Sequence, residues 1–247
     1  MAGMQIQRFP NKRRRGPLGC GCITLLVLSL IVVVGFVLLW PALPGIVLQL
    51  SGFKASGETA QVFATVPPPP PNLSVQNART SNAALVDAGR YGQFDLNAAG
   101  VRVTTGQNSA GTRVASLNLS ENDLMTLCRQ YTQICDTGDD RVRNATVDLR
   151  PGGAVIYADV NIPGVGIWQR AGIVLRLSES RTRLDVMGID VDGVLYQAPP
   201  QDFGISITEI ESAANQIITQ ATLQANGNSY RVSEIYADER QLNIVLR

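Results

Sequence analysis

The chain has 247 residues, with 21 lysines and arginines, 20 aspartates and glutamates, and no histidine. At this length one domain with appendages is expected, and the absence of histidine excludes most catalytic triads and most zinc sites. Five of the 21 basic residues lie within residues 1–15, which leaves 16 basic against 20 acidic residues in the remainder. The remainder is therefore slightly acidic and lacks the clustered basic charge of a nucleic-acid-binding protein.

An apolar segment follows the basic N-terminus. Residues 16–52 contain no charged side chain, and Ile23 to Trp40 is almost continuously apolar; as a helix this stretch rises about 27 Å, close to the thickness of the bilayer hydrocarbon. The positive-inside rule keeps the basic end in the cytoplasm. We predict a cytoplasmic tail over 1–18 and a single-pass transmembrane helix over 19–41, with the rest exported. A cleavable signal peptide is the alternative, but no small-x-small cleavage site follows Trp40.

Residues 42–83 are predicted to form an extracytoplasmic stalk. They include Pro67 to Pro71, a run that favours an extended polyproline II spacer of about 3.1 Å per residue. The predicted ectodomain is therefore residues 84–247.

The first elements of this domain are a hairpin and a helix. Phe94 to Val103 and Arg113 to Leu119 are short extended stretches, typical of two strands joined by a turn. Ser120 then provides an N-cap, with Asp123 at the third helical position. A helix is expected from Glu121 to about Tyr131.

Alternating apolar and polar residues then predict four antiparallel strands. The first hairpin turns at 151–153, and the second turns at 178–180. A second helix follows, because one apolar face recurs from Ile207 to Gln224 and Ser206 with Glu209 forms a capping box. It is expected to end at 226–228, before two last strands. The predicted fold class is α+β: after the transmembrane helix, two main helices pack on a curved antiparallel β-sheet.

The helix start Leu-Asn-Leu-Ser-Glu-Asn-Asp-Leu (117–124), the run of hairpins, and the late helix with a terminal hairpin resemble the LmeA-like phospholipid-binding family. This family belongs to the tubular lipid-binding (TULIP) superfamily, and the resemblance covers roughly residues 90–247. It implies a long helix wrapped by a curved antiparallel sheet, with a lipid chain held between them. The chain departs from the family in its stalk and uncleaved anchor.

The apolar faces of helices and sheet form the predicted ligand-binding surface, because each buried methylene contributes about 0.8 kcal/mol without directional bonds. An ordinary closed core is the alternative interpretation of the same faces. Trp168 ends an apolar, glycine-rich segment that serves either as a portal or as the start of a strand. The candidate ligand-binding residues are Leu124, Leu127, Ile156, Ala158, Ile173, Leu175, Ile210, Ala214, Ile217 and Trp168.

Cysteines and carboxylates offer little chemistry. Cys128 and Cys135 can form a disulfide if the helix ends between them, since the Cα atoms must approach within about 7 Å, and export permits oxidation; bonded and free thiols both remain open. Asp185, Asp190 and Asp192 could serve as calcium ligands or as a glycosidase pair, but strand alternation favours solvent-exposed carboxylates. Neither a metal nor a cofactor is predicted.

Together these patterns predict a cell-membrane protein whose extracytoplasmic module binds a lipid or another apolar ligand without catalysis. Its expected partners are the membrane, lipid and proteins of the cell envelope, and not nucleic acid. The alternative is a scaffold or protein-interaction domain of an envelope assembly, with a dry, closed core.

Overall fold

The computed structural model describes residues 53–64, 75–81, 84–131, 135, 141–162, 167–197 and 207–247. The predicted cytoplasmic tail and transmembrane helix over 19–41 lie outside these residues. Within the described ranges, no helix combines the length and apolar character needed to cross a membrane.

Strands dominate the described residues. They are β1 (Lys54–Glu58), β2 (Gln76–Ser81), β3 (Ala84–Asp87), β4 (Gln93–Asp95), β5 (Val103–Gln107), β6 (Arg113–Ser120), β7 (Val142–Arg150), β8 (Gly153–Ile162), β9 (Ile167–Leu177), β10 (Leu184–Val191), β11 (Val194–Gln197), β12 (Thr222–Ala225), β13 (Asn228–Ala237) and β14 (Gln241–Leu246). The helices are α1 (Thr59–Val62), α2 (Glu121–Tyr131) and α3 (Ile207–Gln220), with one 3-10 turn at Gly89–Tyr91.

The described strands form two sheets, in which neighbouring strands pair antiparallel. One sheet has six strands in the order β1-β11-β10-β9-β8-β7, and the other has eight in the order β2-β5-β6-β14-β13-β12-β3-β4. Two backbone hydrogen bonds link them: Gly152 donates to the carbonyl of Ala237 at 2.9 Å, and Ile235 donates to that of Arg181 at 2.8 Å. Hairpin turns of the six-stranded sheet thus meet residues 235–237 of β13, beyond the part of this strand that pairs with β12.

The eight-stranded sheet encloses the main hydrophobic core. Strands far apart in its order, such as β5 and β12, contribute to a single buried cluster, so the sheet curls over its own inner face. Leu223 and Val103 are fully buried there. The buried members are Ala84, Leu96, Ala99, Val101, Val103, Ala115, Leu117, Leu119, Leu223, Ala225, Tyr230 and Leu246.

The six-stranded sheet has two unlike faces. On the face that we call the α1 face, Val155, Val174 and Leu195 form a buried cluster under Phe63, just after α1. The cross-strand pair Ile156 and Ile173 lies on the opposite face, because neighbouring residues of a strand point to opposite sides. We call this second side the open face.

Helices α2 and α3 meet the six-stranded sheet through hydrogen bonds at its strand edges. The Glu121 carboxylate of α2 accepts from the backbone amide of Leu149 on β7 at 2.8 Å. On α3, Asn215 both accepts from and donates to the backbone of Leu184 at 2.8 Å, and Glu211 accepts from the amide of Val186 at 3.1 Å. These side chains satisfy backbone groups of β7 and β10 that no neighbouring strand pairs.

The predicted fold class is wrong in its central feature, which was two main helices packed on one curved sheet. The described residues are mostly β, in two sheets, and the larger sheet buries its apolar face mainly by curling, with Leu124 and Leu127 of α2 packed against the resulting core. The second helix is also shorter than predicted, since it ends at Gln220. Thr222–Ala225 pair with both β3 and β13, and this pairing, with the burial of Leu223, outweighs the continuing helical pattern.

The predicted boundary at residue 84 also differs from the structure. Lys54–Glu58 pair with β11, and Gln76–Ser81 pair with β5, so parts of the predicted 42–83 stalk are strands of the two sheets. The proline run, Pro67 to Pro71, lies outside the described residues. Polar, solvent-exposed edge strands such as β1 lack the apolar alternation that identifies a half-buried strand.

Several local predictions are confirmed. The hairpins β7–β8, β9–β10 and β13–β14 form as expected, and α2 begins with the predicted cap, in which the Asp123 amide donates to the Ser120 hydroxyl at 3.2 Å. The first hairpin is shifted, because residues 96–100 form a turn and β6 pairs with β5.

Candidate functional site

A continuous apolar row crosses the open face of the six-stranded sheet. The pairing places Val147 of β7, Ile156 of β8, Ile173 of β9, Ile189 of β10 and Tyr196 of β11 side by side. The row is flanked on one side by the pair of Ala158 with Ala171 and on the other by the pair of Ala154 with Leu175. The row spans five strands without a charged side chain.

Burial changes along this face. At the end that borders α2 and α3, Leu149 and Leu175 are buried. At the β11 end, Tyr196 packs with Phe53 and Val191. Between them, Ile156 keeps 39% of its surface exposed, and among the described residues it is the one large hydrophobic residue that is exposed. The open face is therefore covered at its margins and uncovered over β8.

Helix α3 borders the same surface along β10 and is itself poorly covered. No side chain of α3 that the structure describes is buried, although Ala214, Ile217 and Ile218 follow its apolar stripe. An amphipathic helix usually gains its stability by burying that stripe. Two half-buried apolar surfaces, one on α3 and one on the sheet, thus adjoin at β10.

The structure divides the predicted ligand-binding residues. Ile156, Ala158, Ile173 and Leu175 share the open face, and Ala214 and Ile217 lie on α3 beside it. Leu124 and Leu127 lie elsewhere, since both pack against the core of the eight-stranded sheet. The side chain of Ile210 lies outside the described part of the chain.

Trp168 lies on the other side of the sheet. It pairs with Asn161, and the guanidinium of Arg143 sits 3.9 Å from its ring centroid. This half-buried ring is therefore a strand residue stacked by a cation. The apolar loop at 163–166 lies outside the described residues.

A pocket of about 430 Å³ opens on the α1 face. Its most buried polar member is Asp190, which is 2% exposed and accepts hydrogen bonds from the hydroxyl of Thr59 and, at 3.4 Å, from the amide of Gly193. The prediction of a solvent-exposed Asp190 is wrong, because α1 covers this end of β10; Asp192 is exposed as predicted. The lining residues are Glu58, Thr59, Ala60, Phe63, Arg150, Val155, Tyr157, Asp190, Asp192, Gly193 and Val194.

Tyr157 forms one wall of this pocket, lying across its partner Gly172. A Cβ atom built on Gly172 would approach the Tyr157 ring to 2.7 Å and Val155 to 2.6 Å, so the ring occupies the space of the missing side chain. Burial raises the pKa of the Tyr157 hydroxyl, and the nearby negative charges of Asp190 and Asp148 raise it further. The hydroxyl is thus a donor throughout the physiological range.

Paired charges surround the rest of the α1 face. Arg150 contacts Asp148 at 2.6 Å, and Arg170 contacts Asp159 at 3.2 Å. The hydrogen bond from Asn144, with the contribution of Arg170, lowers the pKa of Asp159. Arg150 and Arg170 are therefore each ion-paired with a neighbouring carboxylate.

Cys128 and Cys135 form a disulfide, with their Cα atoms 5.6 Å apart. This settles the alternative that the sequence left open. In the described ranges, no group of three histidine, cysteine, aspartate or glutamate side chains could hold a metal ion.

Comparison with known proteins supplies no relative: no family model, curated protein or solved structure matches the chain. The site therefore rests on its own geometry. Sequence reasoning missed the pocket on the α1 face, because its parts come from β1, β8 and the β10–β11 turn. The one local signal was Asp190-Val-Asp-Gly193, a carboxylate pair before a glycine turn.

Proposed function

We propose that the chain binds a lipid or another apolar ligand on the open face of the six-stranded sheet, without catalysis. The observation that carries this proposal is the five-strand apolar row in which Ile156 remains 39% exposed. Leaving apolar surface in water costs about 25 cal/mol per Å². A ligand that covers the row recovers this free energy.

The chemistry of the face favours an apolar chain over a polar ligand. Ile156, Ile173 and Ala158 offer no hydrogen-bonding side chain, and the α3 side chains Asn215 and Glu211 already bond to the backbone of β10. Recognition would therefore come from burial and shape, as in other apolar sites. The elongated row suits a linear hydrocarbon.

The scaffold alternative requires a dry, closed core. The half-exposed row and the half-buried α3 favour ligand binding instead. The disulfide between Cys128 and Cys135 is compatible with the extracytoplasmic location that we propose, since disulfides persist in oxidising compartments.

Photo-crosslinking tests the proposal directly. The full chain is placed in phosphatidylcholine nanodiscs that contain a phospholipid with a diazirine in its acyl chain, and cross-linked peptides are identified by mass spectrometry. We expect cross-links on the peptides that carry Ile156 and Ile173. Ile156→Ser should reduce them severalfold, because a hydroxyl in the middle of the row is desolvated without a partner.

Val62→Ser is the matched control, since Val62 is a half-buried aliphatic residue on the α1 face. It should leave cross-linking of β8 and β9 unchanged. Cross-links confined to residues 19–41, or equal yields from the wild type and Ile156→Ser, would refute the proposal.

A further inference from the structure

The pocket on the α1 face lies on the opposite side of the sheet from the apolar row and needs its own explanation. Its volume of about 430 Å³ falls within the range of about 300–1,000 Å³ that is common for small-molecule sites. Phe63, Val155, Val194 and Ala60 give it apolar walls, and Tyr157 adds a second aromatic ring. The surface is concave and mixed in character.

The charge at this pocket is unbalanced. Asp190 is almost fully buried, and the groups that donate hydrogen bonds to it, Thr59, Gly193 and Tyr157, are neutral. Among the described residues no lysine or arginine forms an ion pair with it. Buried carboxylates are ordinarily paired with a cation, because removing a charge from water is costly.

Two further carboxylates stand at the mouth. Glu58 ends β1, and Asp192 lies in the β10–β11 turn; both are exposed, and in the described part of the chain neither forms an ion pair. Among the described lining residues the cation is Arg150, which is held by Asp148 through its Nε at 3.0 Å and its Nη2 at 2.6 Å. The described lining residues thus include three carboxylates and one guanidinium, whose charge Asp148 already compensates.

The missing positive charge is more readily supplied by an organic cation than by a metal ion. The carboxylates do not converge on one point, since no group of three metal-holding side chains exists within the described ranges. Aromatic rings such as Phe63 and Tyr157 attract ammonium groups through their π faces. Aliphatic walls suit the carbon substituents of such a group.

We propose that the pocket between α1 and the β10–β11 turn binds an organic ammonium group, with Asp190 as the buried counter-charge and Glu58 and Asp192 as the outer carboxylates. The ammonium belongs either to a free amine or to a lipid head group. This site is independent of the apolar row.

Calorimetric titration of the full chain tests the site. The probes are choline, tetramethylammonium and butylamine, and the comparison compound is 3,3-dimethyl-1-butanol, which has the shape of choline without its charge. We expect at least one ammonium probe to bind and the neutral alcohol to bind at least tenfold more weakly. Glu58→Gln should weaken binding about threefold, in the range of one exposed charge pair.

Glu179→Gln is the matched control, because Glu179 is an exposed glutamate in the turn between β9 and β10, outside the pocket lining. It should leave the affinity unchanged. Asp192→Asn should act like Glu58→Gln while keeping the backbone, since Asp192 has φ of 53° and asparagine tolerates this conformation.

Lipid composition separates the two sources of the ammonium group. If head groups occupy the pocket, choline should bind more weakly to the chain in phosphatidylcholine nanodiscs than in phosphatidylglycerol nanodiscs at the same salt concentration. Equal affinities identify a free amine as the ligand. Failure of all three ammonium probes, equal binding of the neutral alcohol, or equal losses from Glu58→Gln and Glu179→Gln would overturn the site.

Discussion

Both sheets contain strands in which apolar and polar residues alternate, but the apolar side chains are buried in one sheet and half-exposed in the other. In the eight-stranded sheet, apolar side chains such as Val103, Leu117 and Leu223 meet each other across the curl and are buried. In the six-stranded sheet, Ile156 and Ile173 occupy equivalent alternating positions but remain half-covered. An apolar strand face becomes core only where another surface closes over it.

The helices explain part of this difference. Leu124 and Leu127 of α2 add to the core of the eight-stranded sheet, whereas α2 and α3 contact the six-stranded sheet at the edges of β7 and β10 through polar side chains. A helix at a strand edge satisfies backbone groups without covering the middle of the sheet. The uncovered middle is where we place the ligand.

The largest expected contrast is between two aliphatic truncations. Leu223→Ala should lower the free energy of unfolding by about 3 kcal/mol, because it leaves a cavity at a fully buried site. Ile156→Ala should lower it by less than about 1 kcal/mol, because much of the side chain already contacts water. Urea unfolding of the full chain in detergent measures both. Equal losses would mean that the open face is a closed core and would remove the basis of the ligand proposal.

A smaller effect tests how α3 is held. Asn215→Ala removes the hydrogen bonds to both backbone groups of Leu184 and should cost about 1 to 2 kcal/mol. Hydrogen exchange of the Leu184 amide should accelerate before global unfolding. Ser212→Ala, at an exposed position of the same helix, is the control. Unchanged exchange at Leu184 would show that α3 is held by apolar packing instead.

The smallest effect is a change in alkaline stability at the junction of the two sheets. Burial, reinforced by the charge of Glu234 and a hydrogen bond to it, raises the pKa of Tyr236 to about 12. The unfolded chain loses this proton near pH 10, so stability is complete below pH 10 and declines as the pH rises from 10 towards 12. Tyr236→Phe should reduce the decline measured by urea unfolding between pH 9.5 and 11. Tyr157 contributes in the same direction, so the decline should not vanish, and an unchanged slope would contradict the assignment.

Local sequence patterns correctly predicted the strands and helices that have one apolar side and one polar side. The alternation of Val147 and Leu149, and then of Ala154, Ile156 and Ala158, placed β7 and β8 correctly, because an antiparallel strand with one apolar face has a period of two. The cap of α2 was equally local, since Ser120 and Asp123 interact across one turn. Polar β1 carries no such pattern and β12 is only four residues long, so their pairing partners decide their conformation.

Sequence alone determined the apolar surface available for the candidate site, and with it the expectation that Ile156 and Ile173 share one face. Only the tertiary structure decided that this face stays open while Leu124 and Leu127 enter another core. It also decided that Asp190 is buried, because Thr59 comes from a strand–helix unit 131 residues away in the chain. The local backbone sets the side-chain periodicity and therefore which residues share a face of a strand. Whether that face is buried depends on which distant segments of the chain pack over it, and only the tertiary structure shows this.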